Sequence, residues 1–396
     1  MIINKRAFSI FLVYLFLFYI FLGPSPFVIE GVSENSNIEG GQDLFRQAFL
    51  IFIFVIFFLI YKVPENISDY SIYIIFVTYA FLSVFWSDFP FHSLRRVVLL
   101  FIIVSICTFV VIDSKSNLFI RILNVLTAIQ FLNLAYMLFF PDLSFTDLGF
   151  KGLHIQKNTL GVVCVLSILL SVICYGKISK WRLLGLVTIS LVFLFMSESK
   201  TNVILLSVVL FVYLASLAVY KYFNNVISYV FILFAAVFAI VGVAPIYFIS
   251  NYSEYIEHDF LTGRGTIWLV LLDNIEDRPY FGFGYGGFWG VGENSAVFLS
   301  DASWLDKIGE GHNGFLDLIV NLGVIGLFLY LLIIIISVVR FNRTDLGKKS
   351  IPILVLYLYL FLHNFTESSL VNVTQMVWVF FILMSIYFLK KTERIS

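Results

Sequence analysis

The chain has 396 residues, 60% hydrophobic and only 13% charged, with a mean hydropathy of +0.98 and a formal net charge of zero. A soluble domain carries about twice that share of charge, so a water-soluble fold is excluded, and the balanced charge leaves no field to attract nucleic acid. The apolar runs are continuous rather than alternating, which predicts an all-α polytopic integral membrane protein and not a β-barrel.

Taken in order, apolar runs near 7–22, 45–61, 70–86, 94–112, 118–140, 158–175, 182–196, 201–220, 226–249, 313–339, 351–363 and 370–389 predict about twelve transmembrane helices in a single membrane domain over 1–396. The first run lacks a small-residue cleavage site and leads into Gly-Pro-Ser-Pro, which reads as a retained helix rather than a signal peptide. Cys107, Cys164 and Cys174 lie inside apolar runs and read as small core residues, not disulfides or metal ligands. Placing the N-terminus inside gathers most Lys and Arg there, among them Lys5, Arg6, Lys62, Arg121, Lys177, Lys180, Arg182, Arg340, Lys348 and Lys349. The outer loops are then 23–44, 87–93, 141–157, 197–200, 250–312 and 364–369. The segment 250–312 is by far the longest, a length that is uncommon without function. Within it, RGTIWLVLLDNIE (264–276) has apolar residues at helical spacing and predicts a short helix at the membrane surface.

Cations on the lysine-poor outer side call for a reason. Arg95 and Arg96 end WSDFPFHSLRR (86–96); Lys157 and Asn158 lie in GFKGLHIQKNTLG (149–161), Lys200 in SESKTN, Arg264 in LTGRGTIW and Arg278 in EDRPYFGFGYGGFWG. Guanidinium forks near helix mouths suit a phosphate or pyrophosphate ester. Gly282, Gly284 and Gly287 fit a GxGxxG spacing, but no strand precedes them, so a nucleotide site is rejected in favour of close backbone approach or a tight turn. Phe283, Tyr285, Phe288 and Trp289 of that run either stack on sugar rings or anchor the loop at the headgroup layer. His312, beside Glu310 and before Asn313, stands where a polar loop meets the 313–339 run, and Asn313 suits a helix cap. His363, Asn364 and Glu367 form a second such junction. Glu367 needs a cation there, with Arg95 or Arg96 the expected partner. No His, Asp or Glu spacing resembles a metal site, and no cofactor is expected.

In this order, WSDFPFHSLRR, KGLHIQKNTLG, SESKTN, TGRGTIW, RPYFGFGYGGF, GHNGFLDLIVNLGVIGL and HNFTESSL resemble the O-antigen ligase / O-antigen polymerase superfamily, with a flavour of exopolysaccharide polymerases. The resemblance spans residues 86 to 370, and GHNG followed by LGVIGL carries it most strongly. It implies a metal-independent membrane glycosyltransferase in the bacterial cytoplasmic membrane, its site facing the periplasm or exterior. The implied donor is an undecaprenyl-pyrophosphate-linked glycan. That glycan passes to another lipid-linked repeat unit in a polymerase, or to lipid A core or another acceptor in a ligase. A flippase and a chain-length regulator are the implied partners. A lipid-linked oligosaccharide flippase or transporter is the minor alternative for the chain itself. Carried onto this chain, Arg95 or Arg96, Arg264 and Arg278 become pyrophosphate contacts, with Lys157, Asn158 and Asn313 beside the glycan. His312 becomes the acceptor-side base, with Glu310 and Glu367 in reserve.

Overall fold

A computed structural model describes residues 5–23, 44–61, 66–220, 264–291, 308–343 and 346–390. The described chain runs through α1 (Lys5–Leu22), α2 (Leu44–Ile60), α3 (Ser71–Leu82), α4 (Pro90–Ser114), α5 (Leu118–Phe139), α6 (Lys157–Ile173), α7 (Lys180–Met196) and α8 (Lys200–Tyr220). It continues through α9 (Arg264–Asp277), α10 (Gly314–Asn342), α11 (Ser350–His363) and α12 (Met376–Leu389). A two-residue antiparallel pair, β1 (Phe145–Thr146) with β2 (Gly149–Phe150), is the one sheet among the described residues. The protein is an all-α polytopic membrane protein, and among the described residues six helical stretches are long and apolar enough to cross a membrane.

The apolar runs expected from sequence are helical over most of their described length. The run at 226–249, most of the 23–44 loop, and the 250–263 and 292–307 parts of the long loop lie outside the described residues. The last helix starts at Met376 and not near 370. Before it, the Asn364 carboxamide oxygen accepts hydrogen bonds from the Ser369 amide (3.3 Å) and hydroxyl (2.5 Å), which folds the chain into turns. The three cysteines are buried and free.

Two helices form the centre. α11 and α12 are apolar on every side and buried almost throughout, as such helices must be. α12 packs on α10, α11 and α4, and Phe381 stacks between Trp378 and Tyr357. The periphery is the reverse. Phe45, Phe52, Phe58 and Leu59 of α2, Ile74 and Ile75 of α3, and Phe211 and Leu214 of α8 are exposed, an apolar belt far too large for water but suited to lipid.

Polar contacts segregate to the two ends of the bundle. At the end where α1 starts, Asp113 holds Arg121, Tyr61 and Ser9, Arg340 reaches Asp69, and Arg182 donates to Asn124. At the other end, Arg46 donates to Thr374 and Arg278 pairs with Asp88. Each of these contacts joins groups that the alternating spans place on the same face.

The expected long helix at 313–339 is in fact broken. Gly323 in α10 has φ 66° and ψ −173°, so the backbone turns out of the helix there. The groups this frees are satisfied by the 279–283 loop: the Phe283 amide donates to the Val320 carbonyl (2.9 Å), and the Val324 amide donates to the Pro279 carbonyl (2.9 Å). The Tyr79 hydroxyl donates to the Leu322 carbonyl (2.8 Å). The short first half of α10 joins α9 and the glycine-rich loop around a second apolar core of Ile267, Trp268, Leu271, Phe283, Phe288, Trp289, Leu316 and Val320. This outer layer sits on the bundle end and carries the candidate site.

Gly323→Ala should be strongly destabilising, because its φ disfavours a side chain and an added Cβ would press on the Tyr280 carbonyl. A loss on the order of 1–3 kcal/mol or more is expected. Thermal unfolding of the detergent-purified chain checks this, with Gly185→Ala, at a helical glycine of α7 with open space around it, for comparison.

Candidate functional site

The site starts from a short stretch of backbone, residues 311–313, held from every side. The Gly311 amide donates to both oxygens of Asp317 (3.1 and 3.2 Å), and its carbonyl accepts from the Trp268 indole (2.9 Å). The Asn313 amide donates to the Ser368 hydroxyl (3.0 Å), while its side chain accepts from the Phe315 and Leu316 amides and caps α10. Between these anchors His312 has φ +50°, a left-handed conformation that a side-chain-bearing residue adopts only when its surroundings impose it.

The imidazole thereby meets two carboxylates. His312 Nδ1 lies 3.4 Å from Glu367 and 3.5 Å from Glu310. Arg264, the first residue of α9, donates to the Thr366 carbonyl (2.6 Å) and to Glu367 (3.3 Å). Asn158, near the start of α6, donates to the same Glu367 oxygen (2.9 Å). Behind Asn158 runs a polar ladder. Ser199 donates to Asn158 (3.0 Å), Asn202 donates to Ser199 (2.9 Å), and Tyr359 donates to Asn202 (2.7 Å). Four distant stretches, 157–158, 264, 310–312 and 366–368, therefore close on one point.

Each group's protonation follows from its neighbours. Contact with Glu367 raises the His312 imidazole above its ordinary value; burial opposes this, and Glu310 adds to it. Burial pushes Glu310 up to about 7, with Glu367 and Asp317 reinforcing that and His312 working against it. Burial also opposes ionisation of Glu367, but the contacts with His312, His363 and Arg264 outweigh it and hold this carboxyl below its usual range. Glu367 is thus held as the anion, whereas Glu310 keeps its proton more readily than a free carboxyl and His312 more readily than a free imidazole.

One ligand set is visible only in three dimensions. Donor atoms of Glu310, His312 and Glu367 lie within 4.8 Å of one another, a spacing that could hold a metal ion and that the linear sequence did not display. Arg264 already places a cation on Glu367.

The other expected site residues lie elsewhere. Glu367 takes its cation from Arg264, not from Arg95 or Arg96, because the Arg96 guanidinium is engaged by the carbonyls of Gly286, Trp289 (2.8 Å) and Gly290 (3.2 Å). Arg96 staples the glycine-rich loop to α4. Arg95 is half-buried one residue before it. Arg278 pairs with Asp88 (2.9 Å) and lies over the Phe283 ring. It lines an open cleft of about 650 Å³ with Trp86, Asp88, Tyr280 and Phe281, at the far end of α9 from Arg264. Lys157 reaches back to the Leu148 carbonyl (2.8 Å). Phe283, Tyr285, Phe288 and Trp289 neither stack outward nor anchor at the headgroups: all four are buried, three of them in the outer-layer core. The glycines between them serve the tight turn. Gly282 and Gly284 have positive φ and press on Asn321 and Ser87, so the close approach is to the chain itself.

Residues not anticipated from sequence are Asp317, Ser368, Trp268, Ser199 and Asn202. Asp317 alone carried a signal, a carboxylate inside an otherwise apolar run.

Residues 185–331 match the family model for O-antigen ligase, a stretch that takes in Arg264, Glu310 and His312. The chain is also 24% identical over 333 residues to the exopolysaccharide production protein ExoQ of Rhizobium meliloti (strain 1021), covering 78% of this chain and 75% of that protein.

Arg96→Lys keeps the charge but loses the fork that bridges three carbonyls. Hydrogen bonds to a charged group contribute roughly 1.5–3 kcal/mol, so amide exchange over 284–290 should quicken about ten- to a hundredfold. Hydrogen-exchange mass spectrometry of the full chain reads this directly.

Proposed function

We propose that the chain is a member of the O-antigen ligase and polymerase superfamily, as its match to the O-antigen ligase family model and its likeness to ExoQ support, and that it is a glycosyltransferase acting on polyprenyl-pyrophosphate-linked oligosaccharides at the outer face of the bacterial cytoplasmic membrane. The observation that carries this reading is the convergence of Arg264, Glu310, His312 and Glu367 at the mouth of the bundle. We take the whole chain as one membrane domain, with 250–312 as a large extracytoplasmic loop within it.

The chemistry needs two things. A hydroxyl of the acceptor sugar attacks the anomeric carbon of the donor, and the bond from that carbon to the pyrophosphate oxygen breaks. The hydroxyl proton must go to a base, and the negative charge of the departing polyprenyl pyrophosphate must be stabilised. The His312–Glu310 pair can take the proton once it has lost one of its own. Glu367 orients His312 and holds it as a stronger base. Arg264 uses two N–H groups on Thr366 and Glu367 among the described residues, and the guanidinium carries five. The others can face a phosphate oxygen, so that step proceeds without a metal. Arg95, Lys157 and Arg278 lie further out on the same face, where they can meet the rest of the donor.

Polymerisation of repeat units is the favoured reaction, supported by the likeness to an exopolysaccharide production protein. Ligation to lipid A core or another acceptor is the second reading, supported by the O-antigen ligase family match. A flippase and a chain-length regulator are the expected partners of a polymerase.

Proteoliposomes supplied with lipid-linked repeat units test the reading. Longer lipid-linked glycans should form with the wild type and fall by at least about a hundredfold with His312→Ala, since general-base catalysis contributes 10²–10⁴-fold. Full transfer by a folded His312→Ala chain sinks the catalytic role, and translocation without bond formation indicates a flippase.

The rate should rise with pH as His312, held above its ordinary value by Glu367 and Glu310, loses its proton. Glu310 raises His312, so Glu310→Gln lowers that imidazole and should move the midpoint of the pH profile of kcat to lower pH. Abolished activity in Glu310→Gln would assign the base to Glu310 instead.

A further inference from the structure

We infer that Asp317 is a positioning residue for His312, setting the imidazole against its carboxylate partners by holding the backbone on both sides of it. The consequence for catalysis rests on the proposed role of His312; the positioning itself does not.

His312 sits in a strained conformation, with a cost on the order of 1–3 kcal/mol, which persists only where neighbouring contacts overdetermine it. Asp317 is the common member of those contacts. Its carboxylate accepts the Gly311 amide on both oxygens and the Trp289 indole at 2.7 Å, and the Ser368 hydroxyl lies near enough to favour its charged form. Ser368 in turn accepts the Asn313 amide. One buried carboxylate therefore grips residue 311 directly, and the Ser368 hydroxyl beside it holds residue 313, with residue 312 between them.

The choice of side chain fits this task. The Gly311 amide and the Trp289 indole that face Asp317 are both donors, so an acceptor-only carboxylate satisfies each, whereas Asn would turn an NH₂ toward one of them. Asp317 is 3% exposed beside an apolar core, and among the described residues no Lys or Arg forms a salt bridge with it. A carboxylate there is costly unless its hydrogen bonds are complete. Favourable interaction with the start of α10 would account for an acid in the first turn, but not for an acid that reaches back to Gly311.

The groups that set the His312 titration are Glu367, Glu310 and Arg264, with Asp317 behind them. The test is histidine-labelled NMR on the full chain in nanodiscs, with the His312 signal assigned from a His312→Gln spectrum. Asp317→Asn should lower the His312 midpoint as the ring leaves Glu367. It should also lower kcat on its high-pH plateau by roughly ten- to a hundredfold, the scale of an ångström-sized displacement, with KM changed less than about twofold. Loss of the Asp317 charge alone would move the midpoint and leave the plateau intact, which overturns the proposal. Ser368→Ala leaves every charge in place and should move the midpoint the same way by less. An unmoved His312 midpoint in that variant also overturns it, and this arm stands if Asp317→Asn fails to fold. If His312→Gln retains transfer while both variants shift the midpoint, the positioning holds and the catalytic role of His312 fails.

Discussion

The backbone break at Gly323 is the constraint on which the rest of the structure hangs. Inside a membrane protein no water is at hand to satisfy a peptide group released from a helix, so each freed amide and carbonyl needs a partner from the chain itself. Here the partners come from 279–283 and from Tyr79. That exchange pins the glycine-rich loop into the end of the bundle. It also separates the first turns of α10 from the apolar remainder, letting them join α9 in a layer with its own core. Without the break, residues 314–322 would continue the axis of the spanning helix, and the loop before them would have no second layer to pack against.

Arg96 shows how firmly the layer is attached. A guanidinium that could have faced a ligand is turned onto three carbonyls of the loop, because a tight run of positive-φ residues leaves those carbonyls without helical or strand partners. The same logic governs the site. Glu367 is a buried anion made tolerable by Arg264, Asn158 and His312, and these come from helices far apart in sequence. The opposite end of the bundle carries the same kind of pairing, in Asp113 with Arg121 and Arg340 with Asp69, but without a histidine to exchange a proton.

Much was legible in the linear chain. Span positions follow from apolar run length, since a helix that crosses lipid must be continuous and apolar. The helix at 264–277, the cap at Asn313, the buried cysteines and the place of His312 beside Glu310 at a polar helix junction followed from residue type and spacing. Motif order also pointed to the superfamily that the comparisons support. The errors share one cause. Arg96 read as phosphate-facing and the aromatics of FGFGYGGFWG as stacking on sugar or anchoring at the headgroups, yet they face inward, and direction is not encoded in type.

What the sequence determined by itself was therefore local: which stretches enter the membrane, which loop is long, and which polar residues stand at helix mouths. Hydrophobicity and helical period act over a few residues and can be read in one dimension. Only the tertiary structure decided that Arg264 rather than Arg95 or Arg96 answers Glu367, that Asp317 and Ser368 brace His312, and that α10 breaks at Gly323. Those outcomes depend on hydrogen-bond partners and countercharges supplied across tens or hundreds of residues, and no local pattern records which of several equivalent donors will arrive.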